Sequence, residues 1–81
     1  MFRLPDIPQQ CVMGILAEKA TGIILCKDGS PYHSDSSEFA EYFLFSGIEN
    51  ARTGFTAIQK QFPFPVELIL YDAGKNIIAT L

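Results

Sequence analysis

The run Ser46-Gly47-Ile48-Glu49-Asn50-Ala51-Arg52-Thr53-Gly54-Phe55-Thr56-Ala57-Ile58, followed by Phe62-Pro63-Phe64-Pro65, decides the fold class. Ile48, Ala51, Phe55, Ile58 and Phe62 recur at steps of three and four, which lays one apolar stripe along a helix. Asn50, Thr53, Gln59 and Lys60 fall largely away from that stripe. Ser46 and Glu49 have the spacing of a capping box, a hydroxyl for the free amides and a carboxylate reaching back. Pro63 and Pro65 stop the element, since proline lacks the amide and favours extended geometry in Phe62 and Phe64 before it. A helix over 47–61 is expected.

Downstream, Val66 to Tyr71 and Asn76 to Leu81 are rich in apolar and β-branched residues. Asp72-Ala73-Gly74 between them suits a type I turn with Gly74 at positive φ, so the two segments read as an antiparallel hairpin. Upstream, Gly22 to Lys27 reads as a strand, Asp28-Gly29 as a two-residue turn, and Ser30 to Ser34 as a returning edge segment marked by Pro31. Asp35-Ser36-Ser37 is a loop, and Phe39 to Phe45 is a further strand, apolar on both sides at its end.

Residues 6–21 admit two readings. As a helix, Asp6 caps it, Pro8 sits in its first turn, Gly22 ends it, and Gln10, Gly14, Glu18 and Thr21 share a polar face. As a strand, Cys11 to Ala17 is a buried run that turns through Glu18-Lys19-Ala20-Thr21. The helix, over 7–20, is the reading preferred. The expected class is therefore α+β: a small antiparallel or mixed sheet of about five strands, the helix 47–61, and a second helix at 7–20.

Composition narrows the function classes. A chain of 81 residues makes one domain, 1–81, and 48% hydrophobic content with seven Phe excludes disorder. No apolar run approaches the roughly 20 residues of a membrane span. The segment Met1-Phe2-Arg3-Leu4-Pro5-Asp6 has no signal-peptide pattern, so a cytoplasmic protein without a membrane partner is expected. Net charge is −3, and Arg3, Lys19, Lys27, Arg52, Lys60 and Lys75 are dispersed singly. Tracking a phosphate backbone needs several bases on one face, so no nucleic-acid partner is expected. Cys11 and Cys26 lie in apolar runs without zinc-site spacing and read as buried thiols.

Residues 43–81 carry a resemblance. The capped helix with spaced alanines, followed by Val66-Glu67-Leu68-Ile69-Leu70-Tyr71-Asp72-Ala73-Gly74-Lys75-Asn76-Ile77-Ile78, resembles small uncharacterised bacterial or mobile-element domains. Those domains end in a helix and a β-hairpin, and some phage-encoded inhibitors are similar in outline. That group has no assigned activity, so the resemblance implies a fold element and no functional residue.

Candidate chemistry is sparse. His33 lies beside Ser34, Asp35, Ser36 and Ser37, where a general base with an orienting acid could be imagined. A solvated edge histidine explains it more simply. Asp28-Gly29 and Asp72-Ala73-Gly74 lack the further acids of a calcium loop and the Gly-Lys-Ser/Thr of a phosphate loop. Glu38, Glu41 and Glu67 read as a solvated face. No catalytic, cofactor-binding or metal-binding residue is assigned, and no cofactor is expected. Phe64, set between two prolines outside any regular element, is the aromatic best placed for an exposed contact. With Tyr32, His33 and Tyr71 it makes up the candidate interaction surface.

The reading preferred is a non-enzymatic protein-interaction module that forms a homo-oligomer, most simply a dimer, or binds another protein. One helix covers only one sheet face, and strand 76–81 offers an edge to a copy. The alternatives are a small-molecule module with a pocket between sheet and helix, and a weak nucleic-acid binder.

Overall fold

The computed structural model describes residues 4–33 and 39–81. Its elements run β1 (Val12–Glu18), β2 (Phe43–Phe45), α1 (Ile48–Gln59), β3 (Val66–Tyr71) and β4 (Ile77–Thr80). The strands form one antiparallel sheet in the order β2-β1-β3-β4. β2 and β3 are both antiparallel to β1 and so point the same way, with α1 linking them across it. The class is α+β as expected, but with four strands rather than five and one helix rather than two among the described residues.

Residues 7–20 are the main correction. The Cys11 N–H bonds the Pro8 carbonyl at 3.1 Å and Gln10 sits at φ 70°, so a turn stands where helical winding was expected. β1 follows as the strand between β2 and β3, buried from Val12 to Ala17. A strand covered on both faces reads as an unbroken apolar run, without the alternation that would betray it. Gly14, counted as polar in the helical reading, is a packing residue: a Cβ there would lie 2.9 Å from Leu68 Cγ.

The segments 22–27 and 39–45 are shorter as strands than expected, because they share one edge of β1. Val12, Met13 and Gly14 pair with β2. Further along, the Leu25 N–H bonds the Leu16 carbonyl at 2.8 Å and the Glu18 N–H bonds the Ile23 carbonyl at 2.9 Å. Neither neighbour can lengthen without displacing the other. The turn from 22–27 into the returning segment at Ser30 also differs: Cys26 N–H to Ser30 O, at 2.7 Å, encloses Lys27, Asp28 and Gly29 (φ 91°), a three-residue loop rather than a two-residue one.

The helix occupies Ile48–Gln59 within the expected span, but the capping box does not form. Gly47 is the N-cap, at φ 156° and ψ 172°, a conformation open to glycine, and no side chain caps the helix. Ser46 Oγ instead accepts from Asn50 Nδ2, and Glu49 reaches Arg52 at 3.9 Å. In the β3–β4 turn the left-handed residue is Lys75, at φ 64°, rather than Gly74. Asp72 closes that turn by accepting the Asn76 N–H at 2.9 Å.

Period-two alternation along β1 and β3 divides the core into two layers. Toward α1, Val12, Leu16, Val66, Leu68 and Leu70 meet Ala51, Phe55 and Ile58. Truncating one fully buried leucine of this layer to alanine costs about 2–5 kcal/mol. On the opposite face Met13, Ile15 and Tyr71 pack with Ile7 and Ala40, flanked by Leu4, Cys11, Ile24, Tyr32 and Tyr42. The face that a strand reading of residues 6–21 would leave bare is thus covered, by irregular chain instead of a helix.

Candidate interaction surface

The four residues offered as one contact surface separate. Phe64 packs on the helix-side layer, half-buried, with its ring 5.8 Å from that of Phe62. Tyr71 lies in the opposite layer at 8% exposure, where burial raises its phenol above the ordinary value of 10.0. Tyr32 packs half-buried against that same layer, and its N–H bonds the Ile24 carbonyl at 2.9 Å. His33 is exposed, and its sequence neighbours Ser34, Asp35, Ser36 and Ser37 lie outside the described residues. The structure therefore brings Tyr32 and Tyr71 to one side of the sheet and puts Phe64 on the other.

A cleft of about 350 Å³ is lined by Lys27, Glu41 and Tyr42. It forms where the hairpin loop meets the segment entering β2: the Lys27 N–H bonds Glu41 Oε1 at 2.8 Å. The Lys27 ammonium stands 4.9 Å from the centre of the Phe43 ring, within cation–π range. Asp28, one residue on, accepts the Ser30 hydroxyl at 2.6 Å and the Ser30 N–H at 2.9 Å, and these bonds lower its carboxyl below the ordinary range. Both are turn chemistry.

Among the described residues no group of His, Cys, Asp or Glu could hold a metal ion, and no helix is long and apolar enough to cross a membrane. Cys11 and Cys26 are free thiols and are half-buried rather than fully buried.

The sheet edges offer the clearest asymmetry. β2 is three residues long, and the neighbouring 23–25 segment occupies the rest of the same β1 edge. β4, at the other edge, carries Ile77, Ile78, Ala79 and Thr80, with neither charge nor proline. Ile77 is 63% exposed and Ile78 40% exposed. Leu81 exchanges both backbone hydrogen bonds with Leu68, so antiparallel alternation turns the Thr80 N–H and carbonyl to the open side. Ile77 opposes Tyr71 and Ala79 opposes Leu70, which makes Ile78 the extra residue of a β-bulge. Edge strands are commonly blunted by charge, proline or a bulge, and β4 has only the bulge.

A second relationship crosses the whole sheet. Leu44, Met13, Tyr71 and Ile77 are successive register partners on β2, β1, β3 and β4, and all lie on the face away from α1. The inner two are buried and the outer two exposed, Leu44 at 47%. β4 lies at a sheet edge, the place expected of 76–81. The row was not readable from the sequence, because register cannot be read before the order of strands is known.

Models of protein families, curated proteins and solved structures include none that matches this chain.

Proposed function

We propose that this chain is a non-enzymatic protein-interaction module that self-associates, edge to edge, through β4. The observation that carries the reading is the uncharged Ile77–Thr80 edge with its exposed isoleucines and the outward amide and carbonyl of Thr80. A second copy fits that edge because an antiparallel strand pairs with itself about a two-fold axis, and no like charges then face one another in Ile77–Thr80. The contact closes at two copies, since β2 at the far edge is short and flanked by residues 23–25. Each copy carries a net charge of −3, so the pair repels weakly and salt strengthens it.

Magnitude sets the class of interaction. Four residues a side bury well under the roughly 1,000 Å² of a stable interface, so the pair is a reversible one at micromolar concentration or above. The free thiols Cys11 and Cys26 suit a reducing compartment and support a cytoplasmic setting. Sedimentation equilibrium from one to several hundred micromolar tests the reading. A mass rising from 9.0 kDa toward twice that supports it. A mass fixed at one chain in both low and high salt removes it.

The Lys27–Glu41–Tyr42 cleft favours the small-molecule reading as a second one, because it gathers an ammonium, a carboxylate and a phenol, although it lies beside the hairpin loop and not between sheet and helix. Its ligand would be a small zwitterion. Amide shifts at Lys27 and Tyr42 on titration with free amino acids test it, and unchanged shifts at millimolar ligand would dispose of it.

A further inference from the structure

We infer that residues 4–10 form a strap that opens independently of the sheet and uncovers an apolar row running across it. The strap lies on the face away from α1, where Leu4 and Ile7 pack with Met13, Ile15 and Tyr71. The way it is held differs from everything beneath it. Among the described residues, no backbone hydrogen bond joins 4–10 to the sheet; Pro8 accepts from Cys11 within the turn that ends the segment. Among the described residues the grip consists of side-chain burial, chiefly Ile7, and one ion pair, Asp6 to Lys75 at 3.5 Å, whose partners are both exposed. Exposed pairs of that kind contribute little. At the hinge, Gln10 holds a left-handed conformation that costs a non-glycine residue free energy in the closed arrangement.

The sheet underneath is tied far more firmly. β1 and β3 are in register over six consecutive pairs, from Met13 with Tyr71 to Glu18 with Val66. Cover held by few contacts over a hydrogen-bonded ladder opens first, as a local unit. When it does, Met13 and Tyr71, between the already exposed Leu44 and Ile77, lose the part of their cover that Leu4 and Ile7 supply. The strap is thus a built-in control on how much apolar surface that face presents. This goes beyond the β4 pairing and does not depend on it.

The test uses Met13→Cys in the full chain with Cys11→Ala and Cys26→Ala, labelled by a thiol reagent at nanomolar protein, where β4 pairs are dissociated. Leu16→Cys, buried on the helix side, serves as the control for global unfolding. The expected result is a Met13→Cys labelling rate that is flat across low denaturant and rises roughly tenfold or more when Ile7→Ala is added. Leu16→Cys should label only with the steep denaturant dependence of global unfolding. If Met13→Cys labels as steeply as the control, or if its flat rate ignores Ile7→Ala, the strap does not open on its own. Ile15→Cys, equally buried on the same face, is read in the same way if Met13→Cys fails to fold cooperatively.

Discussion

Leu68 and Leu81 exchange both backbone hydrogen bonds, 3.2 Å from the Leu68 N–H and 2.9 Å from the Leu81 N–H. That pair fixes which backbone groups of β4 face β3 and which face away. Ala79, opposite Leu70, points inward, and Thr80 points out.

Proline separates the two orientations. Thr80→Pro removes an outward N–H and should cost the single chain about 1 kcal/mol or less, while abolishing association. Ala79→Pro removes a ladder bond and should cost about 3 kcal/mol or more. Denaturant midpoints of the two variants check this, and equal losses would show that the edge is not oriented as described.

Helix α1 carries a glycine whose replacement should have the opposite sign to the usual one. An exposed mid-helix Gly→Ala change gains about 1 kcal/mol. A Cβ on Gly54 would lie 2.7 Å from Cε1 of Phe45, whose ring stacks on Phe43 at 6.3 Å. Gly54→Ala should therefore destabilise by about 1 kcal/mol, through displacement of Phe45. Adding Phe45→Leu should make the same Gly54→Ala change favourable, as a double-mutant cycle on urea unfolding would read.

The start of α1 gives a paired test. Ser46 caps no amide, so Ser46→Ala should shift stability by less than about 0.5 kcal/mol. Gly47→Ala forces a side chain onto a backbone at φ 156° and should cost about 1–3 kcal/mol. A larger loss at Ser46 than at Gly47 would restore the capping box.

Tyr71 predicts a loss of stability in base. Its native phenol titrates above 10.0 because the neutral form is buried, whereas the unfolded chain ionises near that value. The contribution is complete below pH 10 and is lost as pH rises through the native value. Tyr71→Phe should flatten that alkaline decline. The slope of the urea midpoint between pH 9 and 11, in parent and variant, decides it.

The parts of the fold that were readable from sequence share a physical cause. α1 and the β3–β4 hairpin have local signatures: a stripe at helical spacing, two prolines, and a turn between β-branched runs. β1 has none, because a strand buried on both faces shows the same apolar run as a buried helix, and only its partners decide the matter. Gly47 displaced Ser46 as the cap because the chain enters α1 through a glycine-only conformation. Of the candidate surface, Tyr71 proved to be core and Phe64 part of the other layer, since alternation cannot assign a face until strand order is known. β4 lies at the edge expected of 76–81; the packing of Ile7 on the sheet shows in no sequence pattern.

Amide hydrogen exchange at Thr80, followed against protein concentration, tests the proposed pairing most directly. At low micromolar concentration its outward N–H should exchange freely, and protection should grow in step with the rise in mass. The Leu81 amide, bonded to Leu68, should be protected throughout. A Thr80 amide that exchanges equally fast at every concentration, in a chain that does associate, would place the contact elsewhere and contradict the β4 edge.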